Sequence, residues 1–346
     1  MAPPKSRKKK SSPTKGPRKK TSRNKYEKGG TPFTQIKWKN LVPMYDFWGK
    51  EFKRYYKLET LASAVEGLFK GRAHDPFLSP NIKSALGPSR ITRCEIELFQ
   101  EGFYQLIFKM KVQNSQKRRA TFALVVAKDH QGLSETAKRE HRTLIELFGR
   151  ATQCFARPLK GGTLYLPDRH RRKENDRYVY AYMTEWQHGH HELGIQRNGQ
   201  FFVNIPKPVP FTKPQTQQLK RRMVEMVIRS YDPVKRSCMA IPQIASGDFV
   251  VTLPGKQAPR LKIIACRDLI TGVSPSKLLH SILVAEWEWS DNQIRLAPDS
   301  YEDWEQALHN AIGKTRSNDW MTVYRQDVKK KRFRKLKHLE PEFYDE

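Results

Sequence analysis

The chain has 346 residues, with 65 Lys and Arg against 35 Asp and Glu and a formal net charge of +30. Hydrophobic residues make up 38% and aromatics 11%, enough apolar material for a core, which excludes a wholly disordered protein. No apolar run approaches the ~20 residues that cross a bilayer, and no apolar segment follows the basic N-terminus as in a secretory signal. The composition predicts a soluble, intracellular, basic protein without membrane contact. A basic run serves as an import signal in a nucleus and as a polyanion tether in a bacterial cytoplasm, so both compartments stay open.

Residues 1–30 hold 12 Lys and Arg and one acid, Glu27, among Pro, Gly, Ser and Thr. Such a segment buries too little to offset its ordering entropy, so 1–35 is expected to be a disordered basic tail. Residues 36–90 read as a helical extension. Tyr45, Trp48, Phe52, Leu61, Val65 and Phe69 recur at helical spacing over 42–71, and Pro76, Pro80 and Pro88 mark 72–90 as a connector.

The period then changes. Segments 91–99, 103–112 and 119–129 are rich in β-branched and aromatic residues and predict an antiparallel meander. A helix is expected over 133–149, with Ser134 as N-cap and Gly149 ending it. Two short strands flank Gly161-Gly162, residues 178–186 (YVYAYMTEW) form a buried strand, and 193–204 form a hairpin. After a Pro-rich connector come a helix over 215–231, strands over 248–253 and 260–266, and helices over 275–289, 300–313 and 317–329. Trp287, Trp289, Trp304 and Trp320 fall in these last helices and are expected in the core.

Cys94, Cys154, Cys238 and Cys266 are far apart and form no C-x-x-C, so a disulfide framework and a zinc ribbon both lack spacing. They read as small buried hydrophobes. His188, His190, His191 and Glu192 match no zinc spacing and read as a loop. No P-loop, dinucleotide fingerprint or nucleophile elbow occurs. Basic clusters lie at 117–119, 169–173, 220–222 and 329–337, the last with seven Lys and Arg in nine positions. They predict a polyanion partner, RNA or DNA, bound without sequence preference through the basic ends, with 329–346 a basic then acidic C-terminal tail.

Several junctions carry a further pattern. The strand over 119–129 contains VVAK ending at Lys128, the next helix presents Glu140, YMTEW ends a strand at Glu185 and Trp186, QIASGDFVV holds Asp248, and RLKIIACRD holds Asp268. In this order they resemble the aminoglycoside phosphotransferase and choline kinase branch of the protein-kinase-like superfamily. The resemblance implies an α+β bilobal kinase-like fold. Its N-lobe, over 91–190, has a small antiparallel sheet and one helix; its larger C-lobe, over 191–328, is mainly helical. It also implies ATP and Mg²⁺, with a small hydroxylated acceptor. Lys128 would hold phosphates and pair with Glu140, Glu185 would lie at the adenine hinge, Asp248 would be the catalytic base and Asp268 a metal ligand. The family's catalytic-loop His falls on Ser246, its Asn on Leu253, and its metal Asp on Ala265 unless the register shifts to Asp268. Mg²⁺ needs carboxylate or amide oxygens in near-octahedral array. The resemblance therefore implies a degenerate protein that binds nucleotide with weak or lost phosphotransferase activity. The alternative function is nucleic-acid or ribonucleoprotein binding through the basic tails.

Overall fold

The computed structural model describes residues 36–39, 78–101, 105–128, 132–166, 177–196, 198–241, 244–255, 257–289, 292–336, 339 and 341–344. The expected basic tail over 1–35 and the expected helix over 42–71 lie outside them.

The described residues form an α+β structure with two principal sheets. Strands β1 (Ile36–Lys39), β2 (Ile91–Glu101), β3 (Gln105–Asn114), β4 (Arg119–Ala127), β5 (Pro158–Leu166) and β6 (Arg177–Glu185) build a six-stranded sheet in the order β1-β2-β3-β4-β6-β5. The meander read from the sequence is β2-β3-β4, paired antiparallel throughout, while β1 joins its edge in parallel. Alternation drives this pairing. Along β3, Leu106, Phe108, Met110 and Val112 are buried and the residues between them are not, a period of two that buries one face.

That face is covered by α1 (Leu78–Leu86), where the prolines had suggested a connector. Pro80 falls in the first turn, where the missing N–H has no intrahelical partner to lose, so it leaves the helix intact. Leu78, Ile82 and Leu86 pack on Leu106, Phe108 and Leu124 of the sheet. Asn81 locks the helix to the edge strand: its Nδ2 donates to the Lys160 carbonyl at 3.0 Å, and its Oδ1 accepts from the Lys160 N–H at 3.0 Å.

Helix α2 (Leu133–Arg150) follows β4. Its N-cap is Gly132 at φ 82°, not Ser134, whose Oγ instead accepts from the Tyr180 N–H of β6 at 3.1 Å. Ala151 caps its C-terminus beyond Gly149. The two strands expected around Gly161-Gly162 are one strand, β5, bulged between Pro158 and Gly161.

The second sheet has the order β12-β11-β7-β8-β9, from β7 (His190–Ile195), β8 (Phe201–Asn204), β9 (Val209–Pro210), β11 (Phe249–Thr252) and β12 (Leu261–Ile263). The β7–β8 hairpin turns at Gly199, φ 83°. Helix α3 (Lys213–Arg229) begins in a capping box between Thr212 and Gln215, and β10 (Cys238–Met239) pairs with β13 (Leu269–Ile270). Helices α4 (Pro275–Val284), α5 (Tyr301–Ile312) and α6 (Lys314–Lys329) complete the larger core with α3, around the fully buried Trp304, Tyr324 and Phe211.

Two expectations are corrected here. The helix read over 275–289 stops at Val284, and EWEW forms β14 (Glu286–Trp289), paired with β15 (Asn292–Arg295), so Trp287 and Trp289 are strand residues. The segment after Lys329 is anchored, not a free tail. Phe333 stacks on His280 at 4.5 Å, Leu336 packs against the main core, Phe343 is fully buried and Tyr344 nearly so. All four cysteines are buried and free, and burial pushes the thiols of Cys238 and Cys266 up to about 11 and about 12. No helix among the described residues is long and apolar enough to cross a membrane.

Candidate functional site

A cavity of about 250 Å³ is lined by residues from both principal sheets. Phe99, Gln105, Ile107, Ala123 and Val125 come from β2, β3 and β4. Glu185, Trp186 and Gln187 line it where the chain leaves β6, and His190, His191 and Glu192 where it enters β7. Gly247, Asp248, Ile264, Ala265 and Arg267 come from the segments bordering β11 and β12, and Glu140 reaches it from α2.

Asp248 ends a short 3₁₀ turn, Ser246–Asp248, directly before β11. Its carboxylate is 8% exposed and receives Arg267 through both forks, Nη1 to Oδ2 at 3.0 Å and Nη2 to Oδ1 at 3.2 Å. The Ala245 N–H donates to Oδ2 at 2.7 Å. Burial nevertheless pushes Asp248 up to about 6, outweighing the arginine and the N–H, with nearby Glu140 adding to the rise.

Glu140, 3% exposed, accepts from the Tyr182 hydroxyl at 2.5 Å. Burial raises its carboxyl above the ordinary range, opposed by hydrogen bonds from Tyr182 and Gln105 and by the charge of Arg267. Its neighbour His141 stacks on Tyr182 at 4.7 Å and spans two oxygens. The Leu159 carbonyl, 2.5 Å from Nε2, can only accept, so Nε2 carries the proton and Nδ1 accepts from Tyr180 Oη at 2.8 Å. Burial lowers this imidazole, which keeps it neutral.

Glu192 accepts from Asn204 at 2.8 Å, and its other oxygen lies 2.6 Å from where a Cβ on residue 247 would stand. Glycine at 247 is thus what lets this carboxylate into the cavity. His190 donates from Nδ1 to the His188 carbonyl at 3.0 Å, leaving Nε2 a buried acceptor without a partner among the described residues. At the mouth, Phe99 meets Trp186 edge-on at 4.8 Å, and Lys109 Nζ sits 4.6 Å from the Trp186 ring centroid.

Of the residues singled out in the sequence, Glu140, Glu185 and Asp248 come together at this cavity. Lys128 and Asp268 are not among its lining residues. Lys128 is buried just beyond β4, in the even-numbered series with Phe122, Leu124 and Val126, whereas the odd-numbered Ala123 and Val125 line the cavity. The groups bearing on the Glu140 carboxylate include Tyr182, Gln105 and Arg267. Asp268 pairs with Arg139 of α2 at 3.6 Å and accepts from the Leu269 N–H at 2.9 Å. Arg267, one residue before it, went unnoticed in the sequence, because nothing local distinguishes it from the chain's other arginines.

These residues do not fit ATP with Mg²⁺. Arg267 spends both oxygens of Asp248, Ala265 offers none, and Asp268 is engaged elsewhere. Among the described residues no group of three or more His, Cys, Asp or Glu is placed to hold a metal. The lining carboxylates Glu140, Glu185, Glu192 and Asp248 face one guanidinium, that of Arg267. A bare triphosphate would meet net repulsion there. No protein-family model and no curated protein matches the chain.

Proposed function

We propose that the chain is a kinase-like protein related to small-molecule phosphotransferases, with a cleft that accepts the base and sugar of a nucleotide and with phosphoryl transfer lost. The order β2-β3-β4-β6-β5, with α2 inserted between β4 and β5, supports the kinase-like reading. So does a cavity at the exit from β6 that is lined from both sheets. The observation that carries the loss of catalysis is the bidentate pair of Arg267 on Asp248. A carboxylate held by a guanidinium fork can neither take a hydroxyl proton efficiently nor present oxygens to a cation, and phosphoryl transfer depends on both. The test is thermal stability with adenosine, ADP or ATP, each with Mg²⁺ or with EDTA, alongside phosphate release. Adenosine is expected to raise the melting temperature equally in Mg²⁺ and EDTA, with no release above that of Asp248→Asn. Magnesium-dependent turnover that Asp248→Asn abolishes would overturn the loss of catalysis. No shift with any of the three would overturn nucleotide binding.

A second reading is polyanion binding by the anchored basic segment. Lys329, Lys330, Lys331, Arg332, Arg334 and Lys335 are exposed, while Phe333 and Leu336 pin the chain between them. A pinned row of cations loses less conformational entropy on meeting phosphates than a free tail does. Arg332 is partly satisfied by Asp327 at 2.8 Å, so Lys329, Lys330 and Lys331 are the better test. On duplex DNA the log-affinity against log-salt slope is about −0.9 per phosphate, so replacing those three by Glu should flatten it by about 3. An unchanged slope would place the contacts elsewhere or remove the reading.

A further inference from the structure

A second cavity, of about 220 Å³, shares no lining residue with the first. It lies where helix ends meet: Arg150 and Gln153 at the end of α2, Arg229 and Tyr231 at the end of α3, and Arg316 and Trp320 on α6. Three arginines line it and no carboxylate does.

The three differ in what they have left to give. Arg150 is structural: Nη1 donates to the Ser230 and Ser237 carbonyls at 2.8 and 3.0 Å, and Nη2 donates to Glu146 at 2.6 Å and Ser237 Oγ at 2.9 Å. Arg229 donates from Nε to Glu225 at 2.9 Å and from Nη2 to the Asn310 carbonyl, leaving Nη1 without a partner among the described residues. Arg316 has no hydrogen bond or ion pair among the described residues. It stands in the first turn of α6, which contains no acidic residue. A cation there opposes the helix dipole, a modest cost at an exposed position. An anion in the cavity would relieve that cost, use the Arg316 fork and accept from Arg229 Nη1. Tyr231 and Trp320, edge to face at 5.5 Å, supply an aromatic wall beside them.

We propose that this cavity binds a small phosphate monoester. The phosphoryl oxygens would be taken by Arg229 and Arg316, and the organic part would lie against Trp320 and Tyr231. A guanidinium fork such as that of Arg316 matches the spacing of phosphoryl oxygens, and a phosphate oxygen can also take the remaining Nη1 of Arg229. A volume of about 220 Å³ is of the size of a phosphorylated small molecule.

The experiment is calorimetric titration of the full chain with phenyl phosphate, repeated with inorganic phosphate, at ionic strength held constant with chloride. Phenyl phosphate is expected to bind more tightly than inorganic phosphate. Arg316→Ala should weaken it about tenfold or more, as befits loss of a charged hydrogen-bond donor. Arg316→Lys, which keeps the charge and loses the fork, should fall between. Lys207→Ala, an exposed charge deletion between β8 and β9, should leave binding unchanged. Because Arg316 is exposed and unpaired, its alanine variant should melt with the wild type, and equal melting temperatures would confirm that lost binding is not lost folding. The proposal is overturned if phosphate gives no more heat than chloride, or if Arg316→Ala binds as wild type does. It is also overturned if a single-stranded oligonucleotide displaces phenyl phosphate from the same arginines.

Discussion

Asp248 accepts from Arg267 and from the Ala245 N–H and is still pushed up to about 6 by burial. The sign of its effect on stability follows from that direction. An ordinary Asp ionises near 3.8, so between about pH 4 and pH 6 the folded chain holds more proton on this group than the unfolded chain. Stability from this group is therefore greatest at low pH and falls as pH rises through about 6, by up to about 3 kcal/mol for a shift of two units. Asp248→Asn removes the titration and leaves a constant offset. The wild type minus Asp248→Asn difference in unfolding free energy, measured by denaturant at pH 4 to 7.5, should decline across that window and level off above it. A difference that rises with pH would mean that the arginine outweighs burial.

Two glycines, one in each principal sheet, make opposite demands on their neighbours. A Cβ on Gly161 of β5 would stand 2.9 Å from the Ala181 carbonyl oxygen and 2.8 Å from Tyr182 Cβ, atoms fixed by the β5–β6 ladder. Relief requires the edge strand to move, which also disturbs the Lys160 contacts that hold α1 through Asn81. Gly161→Ala should therefore cost about 1–3 kcal/mol. In the second sheet, a Cβ on Gly194 would run into the ring of Phe202 alone, and a side chain can turn away. Gly194→Ala should cost less than Gly161→Ala. Chemical denaturation of both variants checks the order. The comparison also explains why Gly161-Gly162 resembles a loop in sequence: the glycines serve close approach inside a strand, and that approach is set by the neighbouring strand.

For the molecule as a whole, the segment after Lys329 decides between a tail and a structural closure. Phe343 is fully buried beside Tyr301 and Trp304, and the Leu336 N–H donates to Tyr344 Oη at 2.8 Å. Deleting residues 333–346 should lower the melting temperature of the chain, and Phe343→Ala alone should cost about 3–5 kcal/mol. An unchanged melting temperature would restore the tail reading. The sequence by itself determined the α+β class, the β2-β3-β4 meander and the helices α2, α3, α5 and α6. These rest on periods of two and 3.6 that are written along the chain. It also singled out Glu140 and Asp248 through the resemblance their motifs carry, and both line the cavity. Only the tertiary structure decided what they touch. Val125 and not Lys128 lines the cavity because a three-residue offset on a strand exchanges one face for the other. Arg267 meets Asp248 because the β11–β12 hairpin folds back on itself across 19 positions. Phe343 is buried and Phe333 half-buried because α4, α5 and α6 leave an apolar surface that the terminal segment covers. Each of these depends on which surfaces meet, and that is set by packing between elements and not by the local pattern of any one of them.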